Sequence, residues 1–170
     1  MKANILVSIN RMQPADLAAK EIEDVFRKIG EEAIIMKTIA SGILAVNTNA
    51  KSREVIARMR DIFFEDPFQF KYTLKWAPAD NWCKAEIPEL KKTLEKIKGE
   101  IKKGETWAMQ VEKRRTDVHA TEIIKEIAPV ITEKVDLEKP DKIVRIEVIG
   151  KEASVTILTS KDIFSVVKGE

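Results

Sequence analysis

The sequence predicts an α+β chain of two units in tandem. Three observations carry that expectation. Over the first 76 residues, apolar periodicity alternates between the two-residue repeat of strands and the 3.6-residue repeat of helices, in the order β-α-β-β-α-β. A breaker stretch, A-P-A-D-N, follows at 77–81. Beyond it, a strongly periodic helix leads into a second series of strand, helix and two strands between Glu105 and Ser160.

In the first unit, 4–9 is a short run of β formers and reads as a strand. Pro14 and Asp16 open a helix with Ala18, Ile22, Val25 and Ile29 on one face, and Gly30 stops it. Strands are expected at 33–38 and 43–46, joined near Ser41-Gly42. Ser52 is expected to cap a second helix carrying Val55, Ile56, Met59 and Phe63. After the Asp66-Pro67 turn comes a run with Phe68, Phe70, Tyr72, Leu74 and Trp76 on one face. Lys71, Thr73 and Lys75 then point to the other face, expected to be open to solvent. This βαββαβ order is the ferredoxin-like pattern. An RNA-recognition motif shares the strand order, but it stacks bases on aromatic residues of a central strand. Here that strand, G-I-L-A-V, has none, so that reading is excluded.

The second unit is expected to run over 77–170, with the first ending at residue 76. Pro88 opens a linking helix over 86–103, whose stripe is Ile87, Leu90, Leu94, Ile97 and Ile101. Residues 106–112 alternate as a strand, and Lys113-Arg114-Arg115 forms a basic turn into a helix capped by Thr116 or Asp117. Pro129 kinks or ends that helix. The connection V-D-L-E-K-P-D follows, and strands 143–149 and 153–158 pair across Gly150-Lys151. A last edge strand is expected at 162–167.

Charge narrows the function. The chain carries a net +2 over 170 residues, so any nucleic-acid role must rest on a local patch. Residues 84–115 hold ten basic and six acidic side chains, which concentrates positive charge in the middle of the sequence. The lysines of the linking helix read chiefly as a solvated face with intrahelical ion pairs. One cysteine excludes an internal disulfide and suits a reducing cytoplasm. The apolar run at the start is too short for a signal peptide, and none is long enough to span a membrane.

The stretch W-A-M-Q-V-E-K-R-R, then His119, then V-D-L-x-x-P-D and a hairpin resembles a THUMP domain, an RNA-binding module of tRNA-modifying systems. The preceding βαββαβ unit resembles the ferredoxin-like domain that often precedes it. Lys139-Pro140-Asp141 departs from the N-P-D often found there. The resemblance implies binding to the acceptor stem and 3′ end of tRNA, with Lys113, Arg114 and Arg115 as phosphate contacts. The two arginines rank first because their planar forks match phosphate oxygens. His119, Lys134, Lys139, Lys142 and Arg145 are further candidates. A stand-alone version of this build resembles the adaptor that assists an RNA acetyltransferase in forming 4-acetylcytidine.

Catalytic signatures are sparse. The sequence has no G-x-x-x-x-G-K-[ST], no G-x-G-x-x-G and no S-G-G-x-D-S, so no nucleotide cofactor is expected. One histidine and one cysteine are too few for a structural zinc site. Three readings follow: a non-catalytic tRNA-binding adaptor, an RNA-modifying enzyme of unrecognised activity, and a structural or dimerising protein.

Overall fold

The computed structural model describes residues 1–166, which divide into two compact units. The first comprises Lys2–Pro78 together with residues 161–166; the second comprises Met1 and Ala79–Ser160.

The first unit runs β1 (Ile5–Ile9), α1 (Ala15–Lys28), β2 (Ile34–Lys37), β3 (Ile43–Asn47), α2 (Ser52–Glu65) and β4 (Thr73–Pro78). Its antiparallel strands lie in the order β2-β3-β1-β4, the ferredoxin-like arrangement that the periodicity predicts. Ile22, Val25 and Phe26 of α1 and Val55, Ile56 and Met59 of α2 pack on Ile5, Val7, Leu44, Val46 and Trp76. Gly30 ends α1 as expected. At φ +73°, it lets Glu31 N–H reach the Phe26 carbonyl and its own N–H reach Arg27, satisfying two orphan carbonyls.

Three expectations for this unit are corrected. Ser52 is the first helical residue of α2 rather than its cap; Lys51 holds the cap position and makes no side-chain capping bond. The simple alternation of the last strand fails, because the β1–β4 register shifts between Ser8 and Ile9 and leaves Leu74 unpaired with β1. The extra residue brings Thr73 to the same face as Trp76, and the run before it is not strand, since Pro67–Gln69 form a 3-10 turn. Thr73 is therefore fully buried, and its hydroxyl accepts the Trp76 indole N–H at 3.1 Å. Finally, the second sheet face is not open: Leu6, Ala45 and Ala77 on it are at most 3% exposed. The buried Glu21 carboxylate holds the approach to β4, accepting the backbone N–H groups of Lys71, Tyr72 and Thr73.

The second unit runs β5 (Trp82–Lys84), α3 (Ile87–Ile97), β6 (Trp107–Arg114), α4 (Ala120–Ile127), β7 (Lys142–Ile149) and β8 (Glu152–Leu158). Its sheet order is β5-β8-β7-β6, with β6 parallel to β7. Leu90 and Leu94 of α3 and Ile123 and Ile127 of α4 pack on Val144, Ile146, Val148, Val155 and Ile157. The short β5 is absent from the sequence reading, since three residues give too little alternation to register. The linking helix is shorter than expected: α3 stops at Ile97, a 3-10 turn spans Lys98–Glu100, and Ile101 is buried beyond it. Pro129 ends α4, inside the 3-10 turn Ala128–Val130.

The expected C-terminal edge strand exists in part, as β9 (Phe164–Ser165), but it joins the first unit by pairing with β4. This corrects its assignment to the second domain. Phe164 is completely buried among Phe63 and Phe70, while Arg60 donates to the carbonyls of Lys161 and Ile163. Val167, the end of the expected strand, lies outside the described residues. No described helix is long and apolar enough to cross a membrane.

Candidate nucleic-acid interface

β6 and β7 pair in parallel along their whole length, from Trp107↔Lys142 to Arg114↔Ile149. The β-branched run of β7 supplies the buried partner, and α4 makes the crossover that parallel pairing requires. At the far end, Gly150 N–H donates to the Arg114 carbonyl at 2.9 Å, so pairing runs out to the last residue of the strand.

Lys113 and Arg114 are therefore strand residues, not a turn. Their side chains leave opposite faces of β6. Lys113 is exposed, whereas Arg114 lies along the polar face and donates from Nη1 to Glu147 at 3.1 Å. The turn is made by Arg115, exposed and held at φ +58°, where side chains are rarely placed. The helix begins five residues later, with His119 rather than Thr116 or Asp117 at its cap position. His119 is exposed and makes no capping bond; the Thr116 hydroxyl instead accepts the Val118 N–H within the loop. Lys113, Arg115 and His119 form no ion pair among the described residues.

Lys134, Lys139 and Lys142 lie at the other end. Trp107, the first residue of β6, pairs with Lys142 and donates its backbone N–H to the Lys134 carbonyl. Eight residues of strand at about 3.3 Å each separate the two ends by roughly 23 Å. The side chains of Lys134 and Lys139 are exposed. Lys142 is not free, since its ammonium donates to Glu105 at 3.1 Å and to the Glu100 carbonyl at 2.9 Å. The Lys102 N–H, and after it Lys142, hold the Glu105 carboxyl below its ordinary range.

Arg145 belongs to neither end. It is 4% exposed, and its guanidinium donates to Glu147 and, from Nη1, to Gln110 at 3.0 Å. The eight residues singled out in the sequence thus separate into a group of four, a group of three and one buried arginine. Two exposed lysines that sequence reading passed over join the first group's end of the sheet. Lys151 lies in the turn beside Arg114, and Lys84 pairs across β5–β8 with Glu152. Only the strand register brings them there.

The acidic connection is structural. Asp136 accepts the N–H groups of Glu138 and Lys139, at 2.9 and 3.0 Å, and these bonds depress its pKa. Asp141 accepts the Thr106 N–H and returns its own N–H to the Thr106 hydroxyl, fastening the loop to the start of β6. Cys83 is half-buried, and desolvation raises its thiol pKa, against the hydrogen bond with Thr93. No group of three His, Cys, Asp or Glu residues suited to a metal occurs among the described residues.

No curated protein matches this chain. Among solved structures, it is similar to PH1313 from Pyrococcus horikoshii Ot3 at 16% identity and a TM-score of 0.66, over 92% of this chain and 54% of that one. A 4-thiouridine synthetase in complex with RNA and ATP matches at 15% identity and a TM-score of 0.61, over 96% and 42%. TrmN from Thermus thermophilus matches at 15% identity and a TM-score of 0.57, over 90% and 44%. The chain thus spans about half the length of these structures. The THUMP domain family matches residues 84–158, from the last residue of β5 to the end of β8. Residues 84–158 of this chain are therefore a THUMP domain, preceded in the sequence by a ferredoxin-like unit.

Proposed function

We propose that this chain is a cytoplasmic tRNA-binding adaptor that presents its RNA to a modification enzyme and carries no catalytic activity of its own. The observation that carries the reading is the cationic rim at the end of β6, where Lys113, Arg114, Arg115 and His119 lie on a THUMP domain. Exposed cations clustered on one edge neutralise phosphates and release counterions, which gives affinity without base specificity. The RNA complex of the 4-thiouridine synthetase, a structure with the same fold, supports RNA as the ligand class. The acceptor stem and 3′ end of tRNA are the proposed contact region. The proposed partner is an RNA acetyltransferase forming 4-acetylcytidine.

The test is titration of tRNA with the full chain at several salt concentrations, followed by acetylation assays with the partner. Binding is expected with a steep salt dependence. Acetyl transfer to tRNA should require both proteins. Label entering the RNA with this chain alone would overturn the adaptor reading.

A further inference from the structure

We propose that Glu147 is a positioning residue for RNA binding, holding the Arg114 guanidinium in the orientation in which it meets a phosphate. The inference rests on the tRNA-binding reading above and goes on to assign how one contact is built.

Arg114 and Arg145 share one carboxylate, each on its own oxygen. Glu147 Oε1 accepts from Arg145 Nε at 3.0 Å and Nη2 at 2.8 Å, while Oε2 accepts from Arg114 Nη1 at 3.1 Å. Gln110 fixes the remaining side of Arg145. The result is a chain of contacts, Gln110–Arg145–Glu147–Arg114, along one face of β6 and β7. Its inner members are clamped: the side chains of Arg145 and Glu147 are each 5% exposed, whereas that of Arg114 is 22% exposed. Glu112 stands opposite Glu147 in the register but takes part in no ion pair among the described residues. Ser154, opposite Glu147 on β8, is buried and its hydroxyl has no partner among the described residues. The carboxylate is therefore aimed by the arginines and not by that hydroxyl.

A surface arginine ordinarily loses side-chain entropy when it binds a phosphate. Here one edge of the fork is already tied down by a buried acceptor, and its other donors have no protein hydrogen bond among the described residues. A preorganised guanidinium gives up less freedom on binding, and its planar geometry is retained for a two-point contact.

Glu147→Gln separates positioning from charge. Removal of a negative charge beside the rim should by itself tighten RNA binding. Positioning predicts the opposite: tRNA affinity falls by on the order of tenfold, as for Arg114→Ala, with the salt slope reduced by about one. The double variant should lose no more than either single one, as expected for two residues acting on the same contact. Tighter binding by Glu147→Gln, or additive losses in the double variant, would overturn the inference while leaving the tRNA-binding reading intact. If the parent chain fails to bind tRNA, both fall. Because the carboxylate is buried, Arg114→Lys is the companion variant should Glu147→Gln not fold. It keeps the charge but loses the fork, so it should bind nearly as weakly as Arg114→Ala. Parental affinity for Arg114→Lys would show Arg114 to be a simple point charge and overturn the proposal.

Discussion

At Arg115 the backbone and the side chain want different residues. Its φ of +58° favours glycine, while the exposed position at the cationic rim favours a positive charge. Arg115→Gly should therefore melt no lower than the parent and be more stable than Arg115→Ala by about 1 kcal/mol, since alanine keeps the strained conformation. Both should bind tRNA more weakly, by similar factors. Thermal melts beside tRNA titrations check this, and parental affinity in both variants would remove Arg115 from the interface. Arg145 is the contrasting case. Its guanidinium is spent on Glu147 and Gln110 inside the sheet face, so Arg145→Ala should destabilise the second unit by about 3 kcal/mol. Lys134→Ala, with an exposed side chain, should change stability by less than about 0.5 kcal/mol. Chemical denaturation of the two variants distinguishes these outcomes.

Among the elements, the 135–141 connection shows why a turn can be readable in sequence while its job is not. Its aspartates look like loop residues anywhere. Here Asp136 closes the loop on itself and Asp141 ties it to Thr106 at the start of β6. The Asp136 pKa is depressed by the N–H bonds of Lys139 and Glu138, which favour its charged form. A depressed folded-state value contributes stability above the unfolded value of about 4, and the contribution is lost as pH falls through the folded one. Asp136→Asn should thus melt below the parent near neutral pH, and the gap should close below about pH 4. Melting curves of both proteins between neutral and acid pH test the sign; a gap that widens in acid would contradict it.

For the whole molecule, the decisive feature is that the first unit is not contiguous in sequence. Phe164, more than eighty residues beyond β4, is buried against Phe63 and Phe70 and belongs to the first core. Phe164→Ala should cost about 3–5 kcal/mol, as for other large-to-small changes at filled sites. Residues 1–80 alone should accordingly be less stable than the same unit with its returning segment. If calorimetry gave equal melting temperatures for Phe164→Ala and the parent, the returning strand would contribute nothing to that core.

Element order and type were legible from local pattern. The two βα series, the Gly150-Lys151 hairpin and the end of α4 at Pro129 all follow from periodicity and from glycine and proline, which act over a few residues. What sequence could not supply was anything set by partners distant in the chain. The slip at Leu74 depends on β1, and the burial of Arg145 depends on Gln110 and Glu147 around it. The separation of the eight candidate residues into four at one strand end, three at the other and one buried arginine depends on the parallel register of β6 and β7. Local propensity fixes which residues form a strand or a helix. Only the pairing of strands fixes which face a side chain takes, and therefore whether a charge is spent inside the fold or left for a ligand.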